Sequence, residues 1–305
     1  MSISSHYHKY LAKTLGETDE FVLIGENATK AGRLGGLSDF RGSDYEPIIE
    51  KIQPRYFDIP NCELGHVGMT FGLALSGFKV FLFVKQLDFL ALANDHFLNT
   101  FTQLELYGDK VPGSVYIITF SVDIDFQGPQ SSFCSPFDAI PGNIKHVYTP
   151  NFKEEIESIF SVRQSKPENP LLSIICLSQK NFRKPERFTI KEHYESFSVI
   201  RLSEKMPRVT KIGIFLHASV IDYVDSFSEF DVVISLTAPR LIIGDEFRDF
   251  SGELGSNIKI FDLWGSENEC RRVAGIIASM NTPNTRIEIC CKNVGFKRMA
   301  SRENV

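Results

Sequence analysis

No apolar run in the sequence approaches the roughly 20 residues needed to cross a bilayer. The longest, Val80–Val84 and the region around Leu171–Leu177, suit buried strands instead. The six cysteines (Cys62, Cys134, Cys176, Cys270, Cys290 and Cys291) form no Cys-x-x-Cys pair, so tetrahedral zinc spacings are missing. Met1–His6 has no basic-then-apolar signal segment, and the expectation is a cytoplasmic chain with reduced thiols. There is no excess of basic charge: 33 Lys and Arg against 38 Asp and Glu give a formal charge of −5. That balance argues against nucleic-acid binding through bulk charge. Nucleophile-elbow (G-x-S-x-G) and P-loop (G-x-x-x-x-G-K-[ST]) motifs are absent. Gly32-Arg33-Leu34-Gly35-Gly36 is glycine-rich but is not G-x-G-x-x-G, and reads as a flexible loop. His6 and His8 could share a metal, although such a pair is usually solvated.

What remains is an ordinary globular composition, 43% hydrophobic and 23% charged over 305 residues, enough for about two domains. Apolar runs at Phe21–Ile24, Lys79–Val84, Val115–Phe120, Lys145–Tyr148 and Leu171–Cys176 read as strands. Helical periods fall at His6–Leu15, from Leu64 to Ala74 with Gly77 closing, over Leu90–Leu106 and at Lys153–Val162. This order predicts an α/β fold with a mainly parallel sheet covered on both faces. Ser178–Glu195 is polar and basic and reads as a surface connector. A second α/β unit follows, with strands at Lys211–Leu216, Asp231–Leu236, Leu241–Ile243, Lys259–Phe261 and Arg286–Cys291. Its helix is predicted over Glu267–Met280, and the polar tail Arg298–Val305 frays. The expected division is 1–178, a linker at 179–200, and a smaller domain at 201–305.

The most informative stretch runs from Arg55 to Gly77. An extended segment ends at Pro60, a helix begins near Asn61, and Glu63 lies in its first turn. An acid there can serve only the helix dipole, worth about 0.3–1 kcal/mol. A second observation bears on it: Gly65, Gly68 and Gly72 recur in the same helix, where each glycine costs about 1 kcal/mol relative to alanine. Close packing against another backbone or a ligand would account for them.

The same stretch resembles the pyrimidine-binding domain of thiamine diphosphate enzymes of the transketolase superfamily. The closest likeness is to beta subunits of the pyruvate and branched-chain 2-oxo acid dehydrogenase first components. Those carry a strand ending in Gly-Glu, a Gly-Gly loop, and a block R-V-x-D-T-P-I-x-E-x-G-x-x-G-x-A-x-G-x-A-x-x-G. The matching residues are Gly25-Glu26-Asn27, Gly35-Gly36, and Arg55 through Gly77. Gln86–Phe89 and Ala93–Asn99 resemble the next blocks, Q-F-x-x-F and A-x-D-Q-x-x-N, and Ile140-Pro141-Gly142 the later P-G. The resemblance covers roughly residues 20–178.

It implies a parallel-sheet pyrimidine-binding domain followed by a divergent transketolase C-terminal-like domain. It implies that Glu63 is the catalytic acid, hydrogen-bonded to the aminopyrimidine of thiamine diphosphate and helping it switch between amino and imino tautomers. Phe89 is then the ring that stacks on the pyrimidine, although Phe is common here, with 26 in the chain. Leu87 and Glu26 complete the implied cofactor-binding set, Glu26 as a supporting acid. The superfamily binds the diphosphate through Mg²⁺ with a G-D-G motif, which this sequence lacks: Gly108-Asp109 is followed by Lys110, and Gly244-Asp245 by Glu246. The chain is therefore expected to supply half a site, with an alpha-like subunit carrying the metal in an α2β2 assembly. The reaction would make or break a carbon–carbon bond next to a carbonyl, on a 2-oxo acid or a ketose. Ser131 or Ser132 stands where the dehydrogenase beta subunits have a catalytic histidine. His217-Ala218-Ser219 and Ile243–Glu246 are the nearest matches to the C-terminal pattern. The rival expectation is a catalytically silent structural or regulatory subunit.

Overall fold

A computed structural model describes residues 3–17, 19–26, 46–107, 111–121, 135–165, 170–178, 181, 190, 192–201, 211–217, 220, 224–242, 257–262, 267–280 and 285–291. Six strands build the first sheet: β1 Phe21–Glu26, β2 Tyr56–Ile59, β3 Lys79–Phe83, β4 Ser114–Ser121, β5 Val147–Tyr148 and β6 Leu172–Ser178. Their order is β2-β1-β3-β4-β6-β5, and every pairing is parallel. All residues of β4 and β6 are buried, as a sheet covered on both faces requires. Side chains alternate between the faces: Val22 and Ile24 enter one core cluster, Phe21 and Leu23 another. On the second face lie helix α1 (Ile3–Gly16) and helix α6 (Lys153–Ser165), packed against each other. The remaining helices of this half are α2 (Glu46–Ile52), α3 (Glu63–Leu75), α4 (Phe101–Tyr107) and α5 (Pro136–Ala139). Val67, Phe71 and Ala74 of α3 cover the first face.

The second sheet comprises β7 Glu192–His193, β8 Phe197–Arg201, β9 Lys211–Leu216, β10 Val232–Leu236, β11 Asn257–Asp262 and β12 Arg286–Cys291, in the order β12-β11-β9-β10-β8-β7. Four strands are parallel, and the β7–β8 hairpin joins antiparallel through β8. Helix α7 (Glu267–Met280) buries Cys270, Val273 and Ile277 in the cluster that also holds the first face of the first sheet. One core therefore runs through both sheets. Phe215, Phe227, Phe230 and Phe261 pack on the opposite face of the second sheet.

The seam between the sheets is polar, and several buried groups of the two halves bond across it. The Arg240 guanidinium donates to the carbonyls of Pro141 (2.7 Å), Ile140 (2.8 Å), Ile144 (2.9 Å) and Phe137 (3.1 Å). It thereby closes the end of α5 and the loop after it, where a short helix leaves carbonyls without partners. The Glu155 carboxylate, fully buried in α6, accepts from the backbone N–H groups of Asn151 (2.6 Å) and Phe152 (3.3 Å). Thr237, Ser198 and Ser235 hydroxyls surround it, and burial pushes its pKa up to about 7. His217 follows β9 in the left-handed region (φ 50°) and shares a 3.0 Å hydrogen bond with the Ser121 hydroxyl. Burial depresses its pKa to about 3, so it is neutral.

Three sequence expectations are corrected. Leu90–Leu106 is not one helix: a 3-10 segment (Leu87–Ala93) leads into a π turn (His96–Thr100) and then α4. Over such short windows the three helix types bury nearly the same apolar positions. Leu241 lies in the 3-10 turn Pro239–Leu241 rather than a strand, because Pro239 has no N–H for a ladder and Arg240 is held by the seam. The stretch 179–200 is not linker throughout, since β7 and most of β8 lie within it. Its basic residues Lys180, Arg183, Lys184, Arg187 and Lys191, like Gly35-Gly36 and the tail Arg298–Val305, lie outside the described residues.

Candidate functional site

The site is set by the order of three strands. The chain passes from β1 to β2 on one side, then returns to β3 on the other side of β1. At such a reversal a crevice opens at the carboxyl ends of parallel strands. Glu26 is the last residue of β1, in register with Ile59 at the end of β2, and Phe83 ends β3 opposite Gly25. The Glu26 side chain lies outside the described residues, so its place is known by main chain alone.

Four residues after β2 ends, Glu63 begins α3. Cys62 occupies the N-cap without making a side-chain capping bond, so the first-turn N–H groups depend on other partners. Glu63 is only 6% exposed, far from the solvated surface acid that a simple dipole partner would be. One turn on, at i+3, His66 is buried on the same face. Its imidazole bonds the Pro60 carbonyl and faces the Glu63 carboxylate. Burial outweighs both and lowers its pKa, favouring the neutral ring. His66 therefore ties the first turn of α3 back to Pro60 in the β2–α3 turn. Sequence reasoning gave it no role, although the i+3 spacing from Glu63 was a visible signal.

Two of the helix glycines have neighbours that explain them. A Cβ on Gly68 would sit 2.6 Å from His96 Nε2, and one on Gly65 would sit 3.1 Å from Cys62 Sγ. The His96 ring is held over Gly68 by a 2.9 Å hydrogen bond to the Thr100 hydroxyl and by an edge contact with Phe71. Gly72 meets nothing within 4 Å. Around these glycines, α3 leaves Leu64 (47%), Met69 (41%) and Leu75 (49%) in solvent, and Leu92 (62%) and Leu98 (53%) extend the apolar surface.

The 3-10 segment that carries Leu87 and Phe89 packs against α3. Leu87 is fully buried, part of the core beneath the crevice. Phe89 is half-buried and packs against the same core. The crevice thus offers a buried carboxyl at a helix N-terminus, and a half-buried aromatic on the segment packed against that helix. Among the described residues no group of three or more His, Cys, Asp or Glu side chains could hold a metal ion. The segment containing Ser131 and Ser132 and the pairs Gly108-Asp109 and Gly244-Asp245 lie outside the described residues. Among the described residues, no helix is long and apolar enough to cross a membrane.

A doubly covered parallel sheet with this strand reversal, joined to a second mixed sheet, is a transketolase-like two-domain α/β fold. Over 95% of its length the chain superposes on 89% of a split gene transketolase, an inactive beta4 tetramer, with a TM-score of 0.65 and 14% identity. At that identity the likeness is one of fold. No protein-family model matches the sequence, and no curated protein matches it.

Proposed function

We propose that the chain is the pyrimidine-binding, beta-like subunit of a split thiamine diphosphate enzyme, with Glu63 the acid that activates the cofactor. The observation that carries this is the buried Glu63 carboxyl at the start of α3, at the carboxyl end of the β2-β1-β3 reversal. Bound thiamine diphosphate supplies an electron sink for making or breaking a carbon–carbon bond next to a carbonyl, on a 2-oxo acid or a ketose. In this chain Glu63 holds and shares a proton with the aminopyrimidine ring, and the Glu63–His66–Pro60 arrangement keeps its carboxyl in place. Phe89 offers a ring face for stacking, Leu87 the apolar floor, and Glu26 a supporting acid at the end of β1. Residues 1–178 act as the pyrimidine-binding domain, and the second sheet, which begins with β7 at Glu192, as the core of the C-terminal-like domain.

Mg²⁺ and the diphosphate fall to an alpha-like partner in an α2β2 assembly. The apolar strip of α3, continuous with Glu63, is the surface that the partner covers; Leu64 and Met69 would otherwise stay in water at a cost of about 25 cal/mol per Å². Calorimetry of thiamine diphosphate with Mg²⁺ tests this, on the chain alone and with the alpha-like protein encoded beside its gene. Binding by the pair and not by either part is the expected result. Absence of binding by the pair would overturn the shared site and favour the silent structural or regulatory subunit.

A further inference from the structure

The face of the second sheet that carries Phe215 and Phe261 is apolar toward the carboxyl ends of its strands and charged toward their amino ends. Strand register sets this out in rows. Lys211 opens β9, Asn257 opens β11 and Arg286 opens β12, and the three stand side by side. Two residues on, and so on the same face, the next row is Gly213, Lys259 and Glu288. The third row is Phe215, Phe261 and Cys290. A cavity of about 410 Å³ opens over the first two rows, with Glu229 and Phe230 as its side wall. That wall is the turn leading into β10, and it is tied to the sheet. The Lys211 N–H donates to the Asp231 carboxylate (2.9 Å), and the Asp231 N–H donates to the Lys211 carbonyl (2.9 Å). The Phe230 ring meets Phe215 and Phe261 edge-on, with centroids 6.0 and 5.8 Å apart. Gly213 leaves room for it: a Cβ there would lie 3.1 Å from the Phe230 ring and 2.8 Å from Phe215.

We propose that this cavity binds a small organic acid with one carboxylate and an apolar body of about ring size. The carboxylate sits between Lys211 and Arg286, and the body lies against Phe230. Lys211 and Arg286 start on strands either side of β11, so their Cα atoms are about 10 Å apart. Two long cationic side chains at that spacing can converge on a single carboxylate over Asn257. Among the described residues, no ion pair joins Lys211, Lys259 or Arg286 to an acid. Lys259 and Glu288 are register partners, and their charges offset one another. Glu229 and Glu288 also select against a multiply charged phosphate, which would meet both acids. The cavity is a binding site and not a second reaction centre. Parallel sheets place chemistry at the carboxyl ends of their strands, and this cavity lies at the amino ends. Its described lining residues include no Ser, Cys or His. It shares no residue with the Glu63 crevice, so it stands or falls separately from the function proposed there.

The test is calorimetry on the full chain with phenylacetate as the probe. Saturable binding at one site per chain is expected. Acetate lacks the apolar body, benzylamine carries the opposite charge, and inorganic phosphate carries more negative charge. Each should bind at least about tenfold more weakly than phenylacetate. Arg286→Gln and Lys211→Gln, both at exposed positions, should each weaken the probe about three- to tenfold with the thermal midpoint unchanged. Glu229→Gln removes a repelling acid and should tighten binding about twofold, a gain that misfolding would not produce. The proposal is overturned if phenylacetate does not bind, or if phosphate or benzylamine binds as tightly. Unchanged binding in the double variant Arg286→Gln with Lys211→Gln would overturn it equally.

Discussion

Two surfaces of the same core meet different fates. The seam between the sheets is bridged by buried polar contacts: Arg240 on four carbonyls, Glu155 on two backbone N–H groups, His217 on Ser121. The face formed by α3 and the 3-10, π and α4 segments after it has no such closure, and Leu64, Met69, Leu92 and Leu98 stand in water. Buried polar groups must find partners within the fold or destabilise it. Exposed apolar groups can instead be covered by another chain. The comparison separates the polar contacts that hold the two sheets together from the apolar side chains that α3 and the segments after it leave in solvent.

The sharpest way to break the comparison is at Arg240. Arg240→Met removes a guanidinium that is 7% exposed and strands its four carbonyls. The expected loss is about 3–5 kcal/mol, read as a fall in the urea midpoint. A loss below about 1 kcal/mol would show that the seam is held by apolar packing alone.

Next comes Glu155. Its pKa is raised from 4.5 to about 7 in the folded protein, so the folded state binds the proton more tightly than the unfolded chain. Its stabilising contribution is full below pH 4.5 and is lost as pH rises to about 7, up to about 3 kcal/mol in all. His217, depressed from 6.5 to about 3, has the opposite slope: its stability is present above pH 6.5 and lost as pH falls toward 3. Glu155→Gln keeps an acceptor for the two N–H groups and removes only the first slope. Unfolding free energies at pH 5 and pH 8 should show the variant gaining relative stability at pH 8. An unchanged pH profile would contradict the burial of an ionisable group at the seam.

The smallest effect on the chain itself is expected on α3. Leu64→Lys with Met69→Lys places charge on two exposed positions and should change stability by less than about 0.5 kcal/mol. The same pair should weaken association with the alpha-like subunit at least tenfold, measured by analytical ultracentrifugation. Loss of stability without loss of association would assign these side chains to the fold.

The same contrast explains what the sequence made legible. Strands β3, β4 and β6 are continuous apolar runs because both faces are covered, and they were readable for that reason. Helix α7 was readable from end to end because its apolar face repeats cleanly between charged residues such as Arg271 and Arg272. The β7–β8 hairpin was not, because Glu192–His193 is a two-residue polar edge with no run to detect. Neither was the role of Arg240, whose carbonyl partners lie about 100 positions away. Within the site, Glu63 and Phe89 stood out because a family pattern fixes their offset. The surroundings of α3, with the His96 ring over Gly68, arise only when α3 and the following segment pack.

The central claim concerns Glu63, and turnover of the reconstituted pair measures it most directly. The chain is combined with its alpha-like partner, thiamine diphosphate and Mg²⁺, and decarboxylation or ketol transfer is followed for the wild type and for Glu63→Ala. With association and thermal midpoint unchanged, the variant should lose at least about 10²-fold in kcat, the usual scale for removing a positioned acid or base. Equal turnover by both proteins would contradict the account and make this chain a structural subunit.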